Sequence, residues 1–123
     1  MKRKKDEMKA ATLSRLVAQG MQEKKGEDIL ILDLQHVKQA VADFFVICSG
    51  NSNTQVDALM DAVEETVYKY VQENPWHKEG NENKEWILLD YVDVVAHIFR
   101  KDRREFYALE ELWSDAVVTK VED

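Results

Sequence analysis

A single cysteine, Cys48, rules out an intrachain disulfide, excludes a thiolate zinc cluster and fits a reducing compartment. No apolar run approaches the ~18–20 residues needed to span a bilayer. The opening MKRKKDEMKA is basic but has no apolar core behind it, unlike a secretory signal. Asp6 and Glu7 are equally unlike a mitochondrial transit peptide, so a cytosolic (cytoplasmic) setting is expected. Neither of the glycine-rich phosphate-binding fingerprints is present. Metal-assisted phosphoryl or nucleotidyl transfer wants two carboxylates at i and i+2 on one strand face, and the chain has no such pair. His36, His77 and His97 lack metal-ligand spacing. No catalytic residue, metal or cofactor is expected.

What is there suits one globular domain. The chain has 123 residues, 45% of them hydrophobic and 33% charged, enough for one ordinary core and too few for two. Its formal net charge of −7 is unevenly spread, residues 1–9 holding five Lys or Arg against two acids. A body this acidic repels a nucleic-acid backbone over most of its surface and suits a basic protein partner.

Residues 1–10 read as a flexible basic tail, with contact to RNA as the alternative reading. From Thr12, Leu13, Leu16, Val17 and Met21 recur at helical spacing, and Lys24, Lys25 and Gly26 supply a cationic last turn and a stop. Ile29–Leu34 and Phe44–Cys48 are short apolar runs that read as strands covered on both faces. Ser52 and Gln55 form a capping box for a long helix whose stripe is Val56, Leu59, Met60, Val63, Val67, Tyr70 and Val71. Asn74-Pro75 ends it, and residues 76–85 read as a polar loop around Gly80.

The stretch from Trp86 to Trp113 organises the rest. Residues 86–90 and 93–99 read as adjacent strands joined by Tyr91 and Val92, hence an antiparallel hairpin. Charge at 100–104 then gives way to FYALEELW, a short helix with more large apolar side chains than one core-facing stripe buries. Part of it is either core or docking surface. Phe106 reads as core, while Trp113, near the chain end, is at least as well suited to partial exposure.

Each chemical alternative has a plainer rival. Gly50 before a helix could cradle an anion, but a tight strand-to-helix turn explains it equally well. Cys48 lies in a run that should be buried, which makes its thiol inert. His97 shares a strand face with Val95 and Phe99 and reads as a hydrogen-bonded histidine. Asp90 and Asp93 read as turn residues that bind nearby backbone amides.

The segments DILILDL, ADFFVICSGNSNTQV, EWILLDYVDVVAHIF and RREFYALEELWSDA, in this order and spacing, strongly resemble the ribosomal silencing factor (RsfS, Iojap) family. The likeness covers residues 13–116. It implies an α/β fold, a single-layer mixed sheet flanked by helices, related to nucleotidyltransferases but without catalytic carboxylates. The expected domain covers residues 11–117, followed by a C-terminal tail at 118–123.

The resemblance further implies a non-enzymatic translational repressor. It would bind the large ribosomal subunit through ribosomal large-subunit protein fourteen, block joining of the small subunit when nutrients are scarce, and form a homodimer. Carried over by motif, the partner-binding residues are Trp86, Asp90, Asp93, His97, Arg104, Tyr107, Leu109, Glu110, Leu112 and Trp113. The rivals from other classes are a nucleotide-transferring enzyme on the related fold and a homodimeric scaffold. One departure stands out: the family usually has glycine where this chain has Val92. Valine resists positive φ, so a turn of another type is expected. Ala96 replaces a usual valine.

Overall fold

The computed structural model describes the backbone of residues 4–107, 113 and 115–122, and the side chains of 10–104, 113 and 115–122. In chain order the elements are α1 (Lys4–Glu23), β1 (Glu27–Asp33), β2 (Phe44–Gly50), α2 (Asn53–Val71), β3 (His77–Glu79), β4 (Trp86–Asp90), β5 (Val94–Arg100), α3 (Lys101–Tyr107) and β6 (Val117–Lys120). The strands form one sheet in the order β3-β4-β5-β2-β1-β6. Among the described strands only β2 and β5 pair in parallel, the other pairs being antiparallel. The expected α/β architecture with a mixed sheet is what the chain adopts.

Alternation along the strands divides the core in two. Ile29 and Ile31 of β1, Phe44, Val46 and Cys48 of β2, Ile87 and Leu89 of β4, and Val94, Ala96 and Ile98 of β5 meet α1 and α2. Leu32, Phe45, Ile47, Val95 and Phe99 belong to a smaller cluster on the opposite face. Every residue of β2 is buried, as its unbroken apolar run predicts.

The helices fit closely. A Cβ on Gly20 would lie 2.8 Å from the Val63 Cα, so the missing side chain is what lets α1 and α2 cross there. Ser52 caps α2, its Oγ accepting from the Gln55 N–H at 3.1 Å. Gln55 does not complete the expected box: its Oε1 accepts from Asn51 N at 2.6 Å, while its Nε2 donates to the Lys24 and Lys25 carbonyls at 3.1 Å. One glutamine thus joins the start of α2 to the end of α1.

Several boundaries differ from the sequence reading. Helix α1 starts at Lys4 rather than near Thr12, and its left-handed stop is Lys25 (φ 61°) rather than Gly26. Helix α2 ends at Val71 with Gln72 left-handed, before Asn74-Pro75, and Tyr70 is exposed instead of joining the stripe. Residues 77–79 of the expected polar loop form edge strand β3, and 117–120, read mostly as C-terminal tail, form edge strand β6. Both edge strands are short and exposed throughout, so no buried alternation marked them.

The β4–β5 connection also departs from expectation. Asp93 N donates to the Tyr91 carbonyl at 3.0 Å, closing a three-residue turn around Val92, which takes φ 77° despite its branched Cβ. The Asp90 carboxylate accepts from Val92 N at 2.7 Å, and the Asp93 carbonyl accepts from Asp43 and Phe44 N–H groups at 2.9 and 3.1 Å. The hairpin therefore holds the start of β2 in place, which over-determines the strained residue.

Two stability predictions follow from these geometries. Val92 is 58% exposed, so Val92→Gly loses little packing while removing strain. It should raise stability by about 0.5–1 kcal/mol, seen as a higher urea midpoint at unchanged slope. Arg104 is 8% exposed, and its guanidinium donates to the Asp28 carbonyl at 2.8 Å and to Ser49 Oγ at 2.9 Å. The β1 register shifts there between Glu27 and Leu30, with Asp28 at φ 51°. Arg104→Leu leaves the Asp28 carbonyl without its charged donor and should cost about 2–3 kcal/mol, lowering the same midpoint.

Candidate functional site

The sheet face away from α1 and α2 carries the candidate site. Trp86 and Leu88 of β4 lie on it, as do Val95, His97 and Phe99 of β5 and Phe45 and Ile47 of β2. Register aligns them in rows: Glu79 opposes Leu88, Leu88 opposes His97, and His97 lies beside Ile47. Residues directly opposite share a face. An acid at the sheet edge, a leucine and a buried histidine thus form one line across three strands.

His97 is the hub of an aromatic group. Its Nδ1 accepts from the Trp86 indole Nε1–H at 3.0 Å. Phe45 meets it edge-on at 4.5 Å between centroids and in turn meets Trp113 edge-on at 5.9 Å. Trp86 stacks on Phe99 at 5.1 Å. Such ring pairs contribute about 0.5–1.5 kcal/mol each beyond area burial. Phe45, His97 and Phe99 are buried, whereas Trp86, Leu88 and Trp113 are only partly covered.

Burial alone lowers the His97 pKa to about 3, so the ring is neutral. Because Nδ1 accepts, the proton belongs on Nε2, which has no hydrogen-bond partner. A buried neutral imidazole that already accepts at one nitrogen is a fixed structural acceptor, as the sequence reading anticipated. Cys48 lies on the helix face, fully buried, with its thiol pushed up to about 12 by burial, an inert group at neutral pH. Among the described residues no three His, Cys, Asp or Glu side chains converge on a metal-sized site. Nor is any described helix long and apolar enough to cross a membrane.

The residues singled out from the sequence fall into four groups. Trp86, His97 and Trp113 belong to the aromatic cluster. Asp90 is on the same face as Trp86, at the hairpin end, with one carboxylate oxygen held by the turn. Asp93 is partly exposed in the turn itself. Arg104 is elsewhere: expected at the partner surface, it is buried against β1 and β2, where its charge serves backbone carbonyls freed by an irregular strand. The backbone of Tyr107 closes α3, but its side chain, together with Leu109, Glu110 and Leu112, lies outside the described residues.

Sequence reasoning missed Leu88, Phe45 and Glu79 as neighbours of Trp86 and His97. The two-residue alternation of β4 places Leu88 beside Trp86 and was available as a signal. Phe45 and Glu79 required the pairing of strands distant in sequence.

The His97 environment predicts an acid-sensitive fold. Its folded pKa near 3 lies below its ordinary 6.5, so below about pH 6.5 the unfolded chain binds the extra proton first. The His97 contribution to stability is constant above that pH and falls as pH drops from 6.5 toward 3, by up to ~1.4 kcal/mol per pH unit. Urea midpoints should fall accordingly, and His97→Asn, which keeps an acceptor for Trp86 but does not titrate, should flatten this part of the profile.

Three comparisons bear on this arrangement. A family model described as "Ribosomal silencing factor during starvation" matches residues 7–123. The Ribosomal silencing factor RsfS of Bacillus subtilis is 38% identical over 112 residues, covering 89% of this chain and 91% of that protein. A crystal structure of a Chromobacterium violaceum protein superposes with a TM-score of 0.79 at 31% identity over 85% of both chains. Another, from Bacillus halodurans, gives 0.74 at 34% identity over 92% of this chain and 99% of that one. With the family model spanning nearly its whole length, this chain belongs to the ribosomal silencing factor (RsfS) family.

Proposed function

We propose that the chain is a ribosome-binding translational repressor that silences ribosomes in the cytoplasm under nutrient limitation. In this reading it docks on the large subunit through ribosomal large-subunit protein fourteen and sterically blocks joining of the small subunit. The contact surface is the sheet face around Trp86 and Trp113, with Asp90 and Asp93 on its hairpin side; the family motif adds Tyr107, Leu109, Glu110 and Leu112 as partner-binding residues, their side chains lying outside the described residues. His97 acts from beneath it, and no catalytic step is required.

The observation that carries this reading is the partial cover over two tryptophans on one aromatic cluster. Trp is the residue type richest in interface energy, and partly exposed rings already packed on neighbouring rings lose little entropy on binding. The net charge of −7 complements a basic ribosomal protein. A homodimer is part of the same reading, supported by the exposed Val117 and Val118 on edge strand β6.

Sedimentation of purified subunits through a sucrose gradient tests it. The chain should travel with the large subunit and deplete the joined particle; free subunit joining with the protein left at the top would sink the reading. Trp113→Ala should weaken large-subunit binding by on the order of 2 kcal/mol, about thirtyfold. Normal binding by a variant that merely melts earlier would make Trp113 a core residue instead.

A further inference from the structure

Separated from β4 by two strands, a cleft of about 750 Å³ opens at the start of β1. Its walls include Gln22, Lys25, Asp28, Ile29, Lys120 and Glu122, which come from the end of α1, the start of β1 and the end of β6. The volume falls within the ~300–1,000 Å³ of clefts that take metabolite-sized ligands.

The chain opens this cleft by an irregularity in β1. Its register on β2 shifts between Glu27 and Leu30, with Asp28 at φ 51°, and its pairing with β6 starts only at Leu30. The two strands therefore part at Ile29, whose carbonyl takes a last bond from Val121 N–H at 2.9 Å. Gln22 Nε2 then donates to the Glu122 carbonyl at 2.7 Å, which seats residues 121–122 as one wall. From below, Arg104 holds the Asp28 carbonyl at 2.8 Å and fixes the bulge.

The charges on these walls are of both signs. Glu27 is held by Lys101 at 3.1 Å and by Asn51 at 2.7 Å. Lys25, Asp28, Lys120 and Glu122 are exposed, and their charged groups have no ion-pair partner among the described residues. A polyanion would meet as many of these carboxylates as ammonium groups, and a polycation the converse. A ligand with one charge of each sign finds partners for both.

We propose that this cleft binds a short peptide with free ends, its carboxylate at Lys25 and Lys120 and its ammonium at Asp28 and Glu122. The inference goes beyond the docking reading and does not depend on it, since no residue of the Trp86 face takes part. A peptide also suits the rest of the lining. Its amide groups can reach the Gln22 side-chain oxygen, and its carbon atoms meet Ile29 and Val121. The four charged contacts lie at accessible positions, so each contributes modestly and the affinity needs both ends of the ligand.

Isothermal titration calorimetry of the full chain with trialanine tests it, beside N-acetyl-trialanine amide, which lacks both end charges, and adenosine monophosphate. Trialanine should bind saturably at one site, and the blocked peptide about tenfold more weakly. Asparagine tolerates a left-handed backbone as aspartate does, so Asp28→Asn should fold as usual, as should Lys120→Gln on the exposed strand. Each should weaken trialanine about threefold and the double variant about tenfold, at unchanged melting temperature. No saturable binding of trialanine, or equal binding of the blocked peptide, would overturn the proposal. Tighter binding of adenosine monophosphate would overturn it in favour of a phosphate ligand, and wild-type affinity in the double variant would place the peptide elsewhere. Subunit sedimentation is independent of all these outcomes, so failure here leaves the docking reading standing.

Discussion

The fold depends on burying β2 on both faces beside its parallel neighbour β5. All seven residues of β2 are buried, and the two strands pair in unbroken register from Phe44–Val94 to Gly50–Arg100. A parallel pair cannot be joined by a tight turn, so the chain must leave the sheet and return. Helix α2 makes that passage and α1 packs beside it across Gly20, closing one face. The Asp93 carbonyl ties the hairpin ahead of β5 to the start of β2, holding the two strands level.

The other face is closed by a different material. No described helix comparable to α1 or α2 covers it; rings do, in a chain of contacts from Phe99 through Trp86 and His97 to Phe45 and Trp113. The polar atoms in this group are few, and burial holds the imidazole neutral so that it can accept the indole proton. Rigid rings that are core on one side and surface on the other are suited to binding, because little motion is lost when a partner covers them. The aromatics thus differ in cover: Phe99 is fully buried, while Trp86 and Trp113 are packed on the cluster and only partly buried.

Much of the fold was legible because it is written locally. Continuous apolar runs marked β1 and β2, alternation marked β4 and β5, and Ser52 marked the start of α2. The short edge strands were not legible, since the three residues of β3 and four of β6 are all exposed and resemble loop. Val92 was expected to refuse a positive φ, yet hydrogen bonds from three directions around the turn hold it there. Arg104 was carried over by motif as a partner-binding residue, and a motif says nothing of the distant carbonyl it serves.

By itself the sequence determined the fold class, the central strands, the main helix face and, through four segments in order, the family. It did so because periodicity, caps and motif spacing are properties of neighbouring residues. Only the tertiary structure decided which charged and aromatic residues are structural and which remain available. Arg104 is spent on partners 76 and 55 positions away, and His97 is kept neutral by a pocket assembled from several strands. Burial depends on which distant segments meet, and no local pattern in the chain carries that information.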